Sequence, residues 1–94
     1  MTDQKVLTQK RVYELLHYNK STGEFFWKKD QRNKNSVAGY FFPDGYMRIE
    51  IDGVDYLSHE LAWLYEYGYM PKGKITHLNG KGEQNHVNNL EEIL

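Results

Sequence analysis

The sequence contains no cysteine, which excludes a disulfide scaffold and every thiolate-ligated zinc site. It also fits a reducing compartment. No stretch approaches the roughly 20 apolar residues that a membrane-spanning helix needs. The N-terminal MTDQKVLTQKR lacks the apolar segment of a secretory signal. A soluble cytoplasmic protein, without membrane contact, is the expectation. Internal repeats, linkers and low-complexity runs are absent too. What is present is globular: 94 residues, 39% hydrophobic and 15% aromatic, with eight tyrosines and two tryptophans. A chain of this length makes one domain around one modest core. The rings are amphipathic, so their polar tips are expected to reach water or a partner.

Net charge is nearly absent as well, at −1, but the balance conceals an asymmetry. Residues 1–48 carry nine Lys and Arg against five Asp and Glu, while residues 49–94 carry three against eight. A basic half suits a polyanion and an acidic half suits a basic partner.

Thr8 is placed to cap a short helix with Val12, Leu15 and Leu16 on one stripe. Asn19 to Gly23 is turn chemistry, and Glu24 to Lys28 reads as an aromatic strand. Residues 29–36, KDQRNKNS, read as a basic loop. Tyr46 to Ile51 alternates, with Met47, Ile49 and Ile51 on one face and Tyr46, Arg48 and Glu50 on the other. Asp52-Gly53 is a hairpin signal, and Val54 to Leu57 is its returning strand. Ser58 is expected to cap a helix over His59 to Tyr67. Leu61, Ala62, Leu64 and Tyr65 form its buried stripe, Gly68 its left-handed end and Pro71 its stop. Lys74 to His77 is brief and extended, and Asn85 is expected to cap a terminal helix with Val87 and Leu90 buried. The expectation is an α+β fold: short helices, a small antiparallel sheet, and a single domain over 1–94. Within it, residues 8–57 form the first helix and sheet, and residues 58–94 the second helix and a loop leading to a terminal helix.

That last loop is the chemically unusual segment. KITHLNGKGEQNHVNNL, residues 74–90, gathers two histidines and five side-chain amides around a Gly-Lys-Gly turn, with one carboxylate. With the Thr22 to Lys28 segment, Ala38-Gly39, Asp44-Gly45-Tyr46, Ile51-Asp52-Gly53, His59, Leu61-Ala62-Trp63, His77 to Gly80 and Asn85 to Leu90, it resembles the phage HNH homing endonucleases, which carry a ββα-metal core. The resemblance covers about four-fifths of the chain and rests on the shared order of these pieces.

It implies metal-assisted phosphodiester hydrolysis. A histidine accepts a proton from water, and a hard cation such as Mg²⁺ offsets charge on the phosphate. His77 falls on the general-base position and Asn89 on the middle asparagine that orients it, with Asn79 and Asn85 shaping the loop. Where the family has an acidic metal ligand directly before the base, this chain has Thr76, a neutral hydroxyl that serves a divalent cation poorly. The family's last ligand lies beyond the middle asparagine, and the sequence ends at Leu94 before reaching it. Glu83 is the nearest substitute carboxylate. His86 is expected to cap or decorate the terminal helix, and His59 to be half-buried and bonded to backbone.

The expectation is therefore a vestigial catalytic pair, His77 and Asn89, with no metal ligand and no cofactor. The function expected is non-catalytic binding, with a weak Mg²⁺-dependent DNA nickase as the alternative. Two partners follow from the charge pattern. Double-stranded DNA would meet Lys28, Lys29, Arg32, Lys34 and Arg48. A host nucleic-acid-binding protein, such as a nuclease or anti-phage defence complex to be inhibited, would meet Glu60, Glu91 and Glu92, and is the favoured target because acidic residues stand where a DNA enzyme keeps basic ones.

Overall fold

The structure is a computed structural model that describes residues 7–28, 37–82 and 84–94. Lys29, Arg32, Lys34 and Glu83 lie outside the described residues. Thr8 caps helix α1 (Gln9–Leu15) as expected, accepting a hydrogen bond from the Arg11 amide at 3.2 Å. The helix then ends sooner than its stripe suggests. Leu16 turns to extended backbone and opens strand β1 (Leu16–Asn19), which the sequence reading missed. Strand β1 pairs antiparallel with β2 (Glu24–Trp27), and Leu16, Tyr18 and Phe25 are buried.

A second sheet has the order β3 (Tyr40–Phe41), β4 (Met47–Ile51), β5 (Val54–Leu57). Asp52 and Gly53 both have positive φ (53° and 82°), the conformation of a tight hairpin turn that matches strand twist. The expected alternation holds in β4, where Ile49 and Ile51 are each 1% exposed and Glu50 is exposed. Helix α2 (Ser58–Tyr67) follows without a loop and ends at Gly68 in the left-handed region, φ 89°. Ser58 is helical and buried, its Oγ without a partner, so it is not the cap; Leu57 stands at that position. Leu61, Ala62 and Leu64 face inward as expected, while Tyr65, expected on the same stripe, is only partly buried, as is Trp63.

The expected terminal helix is a correction. Residues Val87–Asn89 form a single 3-10 turn, and Leu90–Ile93 is strand β7, paired antiparallel with β6 (Lys74–His77). Val87 and Leu90 are buried as expected, although their spacing serves a turn and a strand. In place of one small sheet, the described residues form three, with two, three and two strands. One buried cluster runs from Leu7 and Val12 through Phe25, Ile49 and Leu61 to Ile75, Val87 and Leu90. This shared core fixes the β6–β7 loop against both earlier sheets.

Candidate functional site: a histidine cleft

His77 ends β6 and is 8% exposed. Its Nε2 lies 2.7 Å from Oδ1 of Asn85, itself 2% exposed. A carbonyl oxygen only accepts, so the contact is that of an Nε2–H donor, and in the Nε2–H tautomer Nδ1 keeps its lone pair. That is the arrangement a proton acceptor requires. The sequence reading gave the orienting role to Asn89, whereas the contact belongs to Asn85.

Asn89 instead shapes the loop. Its Oδ1 accepts from the Asn79 amide at 3.0 Å, and its Nδ2 donates to Asn79 Oδ1 and to the Gln84 carbonyl, both at 2.9 Å. Asn79 Oδ1 also accepts from the Lys81 amide. These bonds satisfy a buried side-chain amide and tie Asn79 and Gln84 to the 3-10 turn. His86 precedes that turn and makes no side-chain cap.

His59 belongs to the site, which the sequence reading did not anticipate. It is 5% exposed, rather than half-buried, and its Nδ1 has no partner, so the expected bond to backbone is absent at that atom. Its ring meets His77 edge to face at 4.8 Å, and Tyr46 packs 5.3 Å from His59 and 5.8 Å from His77. Burial, the neighbouring His77 and then Arg48 push the His59 ring down to about 4, so it is neutral at physiological pH. A signal existed in the sequence. His59 and Ala62 are three apart on α2, which puts the histidine on the stripe that Ala62 buries.

The cleft in front of His77 has a volume of about 280 Å³ and is bordered by Asp44, Tyr46, Lys74, Thr76, Gly80 and Gly82, among others. Thr76 borders the cleft, half-buried, and pairs across the strands with Glu91. Asp44 is the carboxylate of the described lining, and Arg48 grips both its oxygens, at 2.7 and 3.1 Å. That contact holds the Asp44 carboxyl below the usual carboxylate range. Among the described residues, no group of three or more His, Asp and Glu side chains is arranged to hold a metal ion.

The residues expected to face DNA or a protein are redistributed. Lys28 is exposed and its Nζ donates to the Tyr13 carbonyl. Arg48 is bound to Asp44 and lies over the Phe42 ring at 4.6 Å, so it does not project as an unpaired cation. Glu91 is exposed, Glu60 is half-buried, and burial lifts the Glu60 carboxyl above its ordinary range. Glu92 accepts from the Lys72 and Gly73 amides and so holds β7 to the segment before β6. Glu60, Glu91 and Glu92 therefore do not act as one open acidic surface.

A family model described as HNH endonuclease matches residues 56–93, the stretch from β5 to β7 that carries His59, Thr76, His77, Asn85 and Asn89. A solved structure titled "DNA binding and cleavage by the HNH homing endonuclease I-HmuI" superposes with a TM-score of 0.62 at 22% identity. The match covers 84% of this chain and 46% of that one, so this chain spans about half the length of that protein. No curated protein sequence matches it. Residues 56–93 are thus similar in sequence to the HNH endonuclease family, and the chain shares the α+β fold of an HNH homing endonuclease.

Proposed function

We propose that this chain is a DNA-binding protein that seats duplex DNA at the His77 cleft without metal-dependent cleavage. The observation that carries the reading is the chemistry beside His77. His77 Nε2 meets Asn85 Oδ1 at 2.7 Å, a contact that would leave Nδ1 of the Nε2–H tautomer to accept a proton. The neighbouring position offers the Thr76 hydroxyl, and the nearby carboxylate, Asp44, is neutralised by Arg48. A divalent cation that needs anionic oxygen has poor support in such a lining. A phosphodiester, which needs donors and cations, has better support. Lys74 borders the cleft, as do Gly80 and Gly82, whose backbone can approach a ligand closely.

The alternative target is a host nucleic-acid-binding protein that this scaffold would inhibit through its acidic half. It loses ground because Glu92 is engaged by backbone amides and Glu60 is half-buried.

The test combines two assays on the same protein. Fluorescence anisotropy with a labelled duplex should show binding that weakens as salt rises, since phosphate contacts release counterions. Plasmid incubated with Mg²⁺ or Mn²⁺ should stay supercoiled. Nicking that requires Mg²⁺ and disappears in His77→Ala would establish the nickase instead. Thr76→Asp should raise Mg²⁺ affinity by restoring a carboxylate at the cleft.

A further inference from the structure

The group that holds His77 is itself held from the other end of the chain. Tyr18, on β1 and 5% exposed, donates its hydroxyl to the Asn85 carbonyl at 2.5 Å, across 67 residues of sequence. Burial, the largest cause, pushes the Tyr18 phenol well above its usual range, so it remains a donor at any physiological pH. Gly23, in the turn between β1 and β2, has φ +80°, and a Cβ there would collide with the backbone of Asn85 and His86. The turn therefore presses directly on the residue that carries the His77 contact. Packing alone does not immobilise Asn85, because it also borders a cavity of about 160 Å³ shared with Phe25, Met47 and the unpartnered Ser58 hydroxyl.

We infer that Tyr18 and Gly23 are positioning residues for His77: acting through Asn85, the β1–β2 hairpin sets the tautomer and orientation of the cleft histidine. The links run from the Tyr18 hydroxyl to the Asn85 carbonyl, and from Asn85 Oδ1 to His77 Nε2–H. Without the first bond, the Asn85 backbone loses its buried donor and shifts toward the cavity. Oδ1 then leaves Nε2, and the proton redistributes between the two ring nitrogens. The functional weight of this link rests on His77 being the working group of the cleft, as proposed above, but the link itself is measured without DNA.

The experiment is a long-range ¹H–¹⁵N NMR measurement of the His77 tautomers in the full chain, its Tyr18→Phe variant and a Tyr13→Phe control. Tyr13 also donates its hydroxyl to a backbone carbonyl, that of Tyr65 at 3.0 Å, so the control removes the same kind of bond elsewhere. The unaltered chain and Tyr13→Phe should both hold His77 in the Nε2–H form. Tyr18→Phe should lower the ratio of Nε2–H to Nδ1–H by about 2- to 10-fold, the reach of one hydrogen bond. An unchanged ratio in Tyr18→Phe, or an equal change in both variants, overturns the inference. Should Tyr18→Phe fail to fold, the unaltered chain still decides. The Tyr18 hydroxyl and His77 ring protons should then speed their exchange together on warming, and independent exchange overturns it.

Discussion

A second imidazole packed edge to face at 4.8 Å makes a charge on the buried His59 ring costly. Its site is buried, and the groups that face it are His77 and Tyr46, with Arg48 contributing a repelling charge. The sign of the linkage follows. The unfolded ring titrates near 6.5 and the folded ring at about 4, so below pH 6.5 the unfolded state binds the extra proton. Stability contributed by neutral His59 is complete above pH 6.5 and is lost as pH falls toward 4. Urea denaturation across that range should show a midpoint that drops with acid. Replacing His59→Phe should flatten the part of the drop that the native protein owes to this ring. An identical pH profile in both proteins would mean that the ring is hydrated in the folded state.

At the level of elements, glycines at turns separate two kinds of requirement. Gly53 has φ +82° with open space around it, so Gly53→Ala should cost about 1–2 kcal/mol of conformational strain and no more. Gly23 has nearly the same φ but touches Asn85 and His86, so Gly23→Ala should cost clearly more and should disturb the His77 loop. Thermal or urea melts of the two variants give the comparison; equal costs would mean that the β1–β2 turn does not bear on the loop. Leu61, 0% exposed at the centre of α2, should cost roughly 2–5 kcal/mol when replaced by alanine. These positions also mark what sequence could reveal. The Thr8 cap, the Asp52-Gly53 hairpin and the Gly68 stop are local chemistry, and each was legible. Strands β1 and β7 were not, because a four-residue segment becomes a strand only through its partner. Leu90–Ile93 pairs with Lys74–His77, on the far side of the asparagine loop, while Val87 and Leu90 have a spacing equally suited to a helical turn. The Asn85–His77 and Tyr18–Asn85 bonds were hidden for the same reason. Groups 8 and 67 residues apart meet only in the assembled core.

Over the whole molecule, the charge asymmetry of the sequence is partly cancelled by pairing. Arg11 binds Asp52 through two nitrogens at 2.9 and 3.1 Å, Lys20 binds Glu66 at 3.0 Å, and Arg48 binds Asp44. A basic residue already paired to a carboxylate brings little net charge to a phosphate, whereas an exposed lysine that donates to a carbonyl keeps its full charge. Lys28 is of the second kind and Arg48 of the first. This difference yields a prediction opposite to equal weighting of the basic residues. In duplex-binding titrations at several salt concentrations, Lys28→Ala should lower affinity and reduce the slope of log affinity against log salt by about 0.9, the loss of one phosphate contact. Arg48→Gln should leave that slope unchanged, since its charge is balanced by Asp44, and any loss of affinity should be independent of salt. Glu91→Gln, on the exposed face of β7, should leave binding unchanged or improve it by removing repulsion. If Arg48→Gln flattens the salt dependence and Lys28→Ala does not, the ion pair must open on binding, and Arg48 itself meets the phosphate. If neither matters and Glu91→Gln weakens capture of a basic protein, the acidic half carries recognition, and DNA is not the partner.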